Sequence, residues 1–283
     1  MPIIIGAIIV VAAVLGGYVL SHGDLIALWQ PFELLIIGGA AFGAFIIANP
    51  LKITLEVFRR VPKLLTGSRY TKYLYLELLA MLYDLFNVMR KDGLIAIEAH
   101  IEEPKSSNIF TKYPLLRKDS QAIEFICDYL RLMIIGDMTA YELENLMDTE
   151  LETRQHEQVS PGMALGKVAD ALPGFGIVAA VLGIVITMQS LGGPPEEIGY
   201  HVAAALVGTF LGILLAYGFV GPIASSLEHR AHEDGQYFEC IKACIIATVN
   251  GVPPQVAVEF GRKTLPSKIR PGFQELEARV RGR

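Results

Sequence analysis

Four long apolar runs divide this chain: residues 2–20, 32–48, 171–192 and 200–226. An α-helix rises ~1.5 Å per residue, so ~20 apolar residues cover the ~30 Å hydrocarbon layer of a bilayer. Each run is therefore predicted to cross a membrane as a helix. The second is the shortest, but it follows the first so closely that the two read as a hairpin.

The intervening polar stretches follow a helical period of their own. Residues 71–89 carry Leu74, Leu78, Leu82, Leu85 and Met89 at spacings of three to four, the pattern of a helix with one buried face. This helix breaks at 90–93, Arg90-Lys91-Asp92-Gly93, and the pattern resumes at 94–103. Residues 119–135 predict a second amphipathic helix. Thr139 and Glu142 have capping-box spacing and open an acid-rich helix to about residue 158, with 159–162 (Ser160-Pro161-Gly162) as the link into the third run. Residues 227–249 continue the fourth helix, and Asn250 to Pro254 end it, leaving an irregular tail with one small helix at 273–280.

The predicted fold is an all-α integral membrane protein of four parts. Residues 1–48 form a transmembrane hairpin, 49–168 a helical cytoplasmic domain, 169–226 the third and fourth transmembrane helices, and 227–283 a cytoplasmic extension and tail. Charge supplies the orientation. All 24 Lys and Arg fall within 49–168 and 227–283, and the connectors 21–31 and 193–198 contain none. By the positive-inside rule the connectors lie outside, while both large polar blocks and both termini, including Met1, lie in the cytoplasm. A cleaved secretory signal competes for the first run, but that run lacks a basic n-region and a second span follows at once.

Composition narrows the function. The chain is 52% hydrophobic yet 19% charged, too polar for a protein made only of spans. Its basic residues are dispersed among acids, with a net charge of −5, so no stripe exists for nucleic acid. Cys127, Cys240 and Cys244 all fall on the reducing side, where disulfides are not expected. Cys240 and Cys244, with His229 and His232 nearby, lack a completing ligand at a familiar metal spacing, so small half-buried thiols are expected and no metal. No nucleotide-binding, serine-hydrolase or zinc-protease motif occurs, and Gly261-Arg262-Lys263-Thr264 lacks the glycines of a phosphate loop. Nothing here reads as an enzyme.

The spans are lined with small residues. Ala204, Gly208, Gly212 and Ala216 are spaced by four in the fourth, Gly176 with Ala180 and Ala179 with Gly183 in the third, and Gly39 with Gly43 in the second. Such strips let helix backbones approach closely in lipid, within a chain or between copies. Apart from Glu33 and His201 near span ends, no ionisable side chain lies in a span, so an ion pathway needs a carboxylate from a partner helix. Thr209 is the polar group in mid-span. Its hydroxyl either bonds back to the carbonyl one turn earlier or faces a hydrated path. Pro173 and Pro222 sit near the cytoplasmic ends of the third and fourth spans, as inert helix ends or as a hinge level.

Four strings carry a resemblance: LPGFGIVAAVLGIV at 172–185, VGTFLGILLAYGFVGP at 207–222, DYLRLMIIG at 128–136 and AVEFGRKTL at 257–265. With the order of spans and polar blocks, they resemble the MotA family, the A subunits of bacterial flagellar stators, across essentially the whole chain. That resemblance implies five such subunits around two copies of a MotB-like B subunit, whose single span carries an ion-binding aspartate. Ion flow then turns the ring against the rotor's switch-ring protein FliG. On this sequence it implies rotor contacts at Arg90 and Glu98, with Lys91, Glu102, Glu103 and Glu150 as weaker candidates, hinges at Pro173 and Pro222, and Thr209 near the ion path. Sodium-driven relatives carry threonine at the position of Ala180, so the small residue here implies protons, with no other cofactor. The nearest alternative is an ExbB/TolQ-like proton-powered energiser of outer-membrane processes, for which three spans are usual.

Overall fold

A computed structural model describes residues 2–136 and 138–281. Met1, expected inside, lies outside the described residues. Every regular element among the described residues is helical. In chain order the α-helices are α1 (Pro2–Leu20), α2 (Pro31–Ala48), α3 (Leu51–Arg60), α4 (Lys72–Asp92), α5 (Glu98–Glu102), α6 (Pro114–Arg117), α7 (Ser120–Ile135), α8 (Ala140–Gln189), α9 (Pro195–Ile213), α10 (Gly221–Val249), α11 (Pro254–Thr264) and α12 (Phe273–Arg281). A π-helical segment, Leu214–Val220, joins α9 to α10. Four of these helical stretches are long and apolar enough to cross a membrane.

The chain divides into two compact units. One comprises the chain up to Gly67 with Glu157–Arg230, the other Ser68–His156 with the chain from Ala231 onward. In the first, α1 buries no residue at all, and the apolar Ile8, Phe32 and Ile47 are exposed at 62%, 77% and 89% within the single chain, as suits helices that cross a membrane. α2 buries one stripe, Glu33, Ile37, Ala41 and Phe45, repeating every fourth residue. Ile37 and Ala41 pack with Leu172, Ala179 and Ala216, and Phe45 packs with Val57 of α3 and Ala164 of α8.

The second unit has a conventional core. Leu74, Leu78, Leu82, Leu85 and Met89 of α4 pack with Phe125, Ile126 and Leu130 of α7 and with Phe238, Ile241 and Ile245 of α10. Thr71 caps α4 by accepting the Leu74 N–H at 3.3 Å, and Gly93, at φ +89°, ends it in a conformation open to glycine. The predicted capping box forms as drawn: Glu142 accepts the Thr139 N–H at 2.8 Å, and Thr139 accepts the Glu142 N–H at 3.2 Å.

Two sequence expectations need correction. Residues 159–162 are no link, because α8 runs unbroken through Pro161 and Pro173. Gly162 serves close packing there: a Cβ on it would stand 2.7 Å from Glu228 Cγ and 3.2 Å from the Ala224 carbonyl, so tertiary contact overrides the local breaker. The irregular tail contains α11, because Pro254 at the first helical position presets φ and loses only a donor that has no partner there. Ala257, Val258 and Gly261 face the core, where a methyl on Gly261 would collide with Cys244 Sγ and the Cys240 carbonyl. Glu33 lies in the first turn of α2, at the entry of its span as expected, and is also 8% exposed and part of the buried stripe of that helix.

Candidate functional site

α8 and α9 meet backbone to backbone because glycine faces glycine. A Cβ at Gly176 would stand 3.0 Å from the Gly208 carbonyl and 3.4 Å from Thr209 Cα, and one at Gly183 would stand 2.8 Å from Ala205 Cβ. Ala180 joins the same contact, its backbone nitrogen 3.5 Å from the point a Gly208 Cβ would occupy. The structure thus brings Thr209 and Ala180, the two expected ion-path residues, to neighbouring positions on one thin helix pair. Both are half-buried within the chain.

The Thr209 hydroxyl makes no hydrogen bond among the described residues, whereas Thr187 bonds back to the Gly183 carbonyl at 2.9 Å. The back-bonded reading therefore fits Thr187 and not Thr209. Pro173 lies within α8 rather than at its end, and Pro222 is the second residue of α10, directly after the π segment. A Cβ on Gly221 would stand 3.8 Å from Ala169 Cβ, so the residue before Pro222 faces α8 one turn from Pro173. Each proline removes one backbone donor, and the π segment lengthens the repeat immediately ahead of the second.

In the other unit, Arg90 lies in the last turn of α4 and Glu98 begins α5, separated by the Gly93 turn, and both are exposed. Neither takes part in an ion pair or side-chain hydrogen bond among the described residues. Arg90 also borders a cavity of about 450 Å³ with Met89, Leu132, Met133, Met138 and Val252. The weaker candidates separate here. Lys91 is free and exposed, but Glu102 pairs with Arg131 at 2.6 Å, Glu150 accepts the Tyr129 hydroxyl at 2.7 Å, and Glu103 accepts the Ser106 hydroxyl at 3.0 Å.

Buried charge is concentrated at Asp234. It accepts from Arg154 at 2.8 Å, from Arg69 at 3.2 Å and from the Tyr70 hydroxyl, and the Arg154 guanidinium lies 3.7 Å over the Phe238 ring. Burial, then the Asp234 charge, pushes the Tyr70 phenol far above its ordinary range, so it stays a donor. Burial likewise pushes the Cys127 thiol up to about 12 and Cys240 well above its usual value, leaving both inert at neutral pH. No group of three or more metal-binding side chains occurs among the described residues.

A multi-span helical membrane protein with a glycine-packed helix pair, a free mid-span hydroxyl and a separate unit bearing unpaired charges is the class these features define. Residues 4–93 match the family model Motility protein A N-terminal, and residues 117–240 match the MotA/TolQ/ExbB proton channel family. Over 281 residues the chain is 48% identical to Motility protein A of Salmonella typhimurium, covering 99% of this chain and 95% of that one. It is 47% identical, with the same coverage, to Motility protein A of Escherichia coli. The solved MotAB of C. jejuni shares the fold, with a TM-score of 0.77 at 19% identity over 94% of this chain and 96% of that one. The chain belongs to the Motility protein A family.

Proposed function

We propose that this chain is the A subunit of a proton-driven flagellar stator of the bacterial inner membrane, with both termini in the cytoplasm. It works with a single-span, MotB-like B subunit, and a ring of these chains, five by resemblance to the family, encloses the partner spans. The observation that carries this reading is the wall formed by α8 and α9. Between residues 171 and 189 α8 has no Asp, Glu, Lys, Arg or His, and Thr209 offers an unengaged hydroxyl beside Gly176. Such a wall suits a cation whose binding carboxylate arrives on another helix.

Protonation of the partner's carboxylate removes its charge and lowers the cost of moving it along these apolar faces, so the ring advances before the proton leaves inward. Ala180 supplies no oxygen to replace the water shell of sodium, which favours protons and requires no cofactor. Pro173 and Pro222, with the π segment between α9 and α10, supply the bending level. Arg90 and Glu98, exposed and unpaired, are free to steer and grip FliG over the ~10 Å range of unscreened charge.

The test is complementation of a non-motile strain lacking its own A subunit. The native chain with its partner restores swimming, and Arg90→Glu combined with Glu98→Lys abolishes it at an unchanged membrane level. Full swimming with both charges reversed removes the rotor assignment.

A further inference from the structure

Glu33 is the one member of the buried α2 stripe that can ionise, and one of its carboxyl oxygens is buried without a hydrogen-bond partner among the described residues. That oxygen, Oε2, is inaccessible to solvent within the described residues, while Ile37, Ala41 and Phe45 below it on the stripe are packed in apolar clusters. Oε2 lies 3.1 Å from the point a Cβ on Gly208 would occupy, and that same point is 3.2 Å from Ala179 Cβ and 3.5 Å from the Ala180 nitrogen. The carboxyl therefore abuts the bare face of α9 at the residue before Thr209. Any side chain at 208 would screen it from α8.

A buried carboxyl oxygen without a donor costs free energy that packing does not return, and an ionisable residue within a span persists for function. The groups that could fix its charge are engaged elsewhere or distant along the chain. The α8 stretch from 171 to 189 is free of ionisable residues. On α9, His201 lies 4.0 Å from Glu197 with its ring against Tyr200, and Glu196 lies in the first turn. Asp24 caps the turn Leu25–Leu28 by accepting the Ile26 N–H at 2.9 Å, and the charges of α3, Lys52, Glu56, Arg59 and Arg60, begin beyond the other end of α2.

We infer that Glu33 is a proton-exchanging site of the A subunit itself, set behind the Gly208 and Ala180 wall beside Thr209. The inference rests on the proton-driven stator reading and adds a second carboxyl to the one the partner brings. The step balances as a simple transfer: a hydronium from the outer water gives its proton to the Glu33 carboxylate and leaves water, and the reverse step regenerates the carboxylate. Protonation removes the charge that the buried oxygen carries without a partner against the α9 face. Proton loss restores that charge beside the wall the partner moves along.

The purified complex with its partner tests this by infrared difference spectroscopy between two pH values. The native complex shows a carboxylic-acid carbonyl band that Glu33→Gln removes and Glu33→Asp retains at a shifted frequency. In tethered cells at matched membrane levels, Glu33→Gln turns several-fold slower at low load and no longer responds to outer pH, and Glu33→Asp recovers both. A native spectrum in Glu33→Gln, or native speed with native pH response, overturns the inference and leaves the stator reading standing. Failure of the native chain to rotate would instead sink that reading, and the spectral result would still report on Glu33.

Discussion

Gly212→Ala is the sharpest probe of the α8 and α9 contact. The new methyl would stand 2.8 Å from the Leu172 carbonyl oxygen and 2.9 Å from Gly176 Cα, both backbone atoms that no rotamer change can move aside. Relief requires the two helices to part, and overpacking of this kind costs ~1–3 kcal/mol. Alanine also returns ~0.8–1 kcal/mol of helix propensity relative to glycine, which would blur a comparison with the native chain. Gly174→Ala removes that ambiguity, because position 174 is helical too and nothing lies within 4 Å of its Cβ. The difference between the two variants is then the packing cost alone. At ~2–4 °C per kcal/mol for a chain of roughly this size, Gly212→Ala should melt about 2 to 12 °C below Gly174→Ala. The assay is the thermal midpoint for loss of the folded peak in one detergent. A Gly212→Ala midpoint equal to or above that of Gly174→Ala would refute the close approach.

Other perturbations test the rest of the structure. Asp234→Asn leaves the Arg154 guanidinium without its carboxylate in a largely buried site, a loss of ~3–5 kcal/mol for a broken buried pair; a thermal midpoint within error of native contradicts the network. Glu142 is held below the usual carboxylate range by the Thr139 N–H and then its hydroxyl. Its contribution is therefore present above the unfolded value of ~4.3 and lost as pH falls through the lower folded value. Native and Glu142→Gln midpoints should differ at pH 7 and draw together as pH falls through the lowered folded value; a constant gap argues against the capping box. Cys127, Cys240 and Cys244 should resist maleimide in the folded protein at pH 7 and all react in denaturant, and rapid labelling of the native protein would contradict their burial.

Much of the molecule is legible in the residues because its signals are local. Apolar length finds the spans, and Thr139 with Glu142 fixes the start of α8 within a single turn. The failures are non-local. Pro161-Gly162 reads as a break, yet Gly162 is needed for contact with residues 224–228, more than sixty positions away. Pro253-Pro254 reads as a stop, although the second proline opens α11. Glu33 reads correctly as an entry-point residue, in the first turn of α2, but its burial is not visible from that position alone. Its spacing of four from Ile37, and eight and twelve from Ala41 and Phe45, is the signal that it shares their buried face. Nothing in the sequence marks Glu102 and Glu150 as engaged, since their partners Arg131 and Tyr129 come from another helix.

The most direct test of the central claim is the ion dependence of rotation in tethered cells whose only A subunit is this chain, expressed with its partner. Rotation in sodium-free medium that persists on the proton gradient and stops on adding a protonophore is the predicted result. Rotation that needs sodium, or continues after the proton gradient has collapsed, would contradict a wall built for protons.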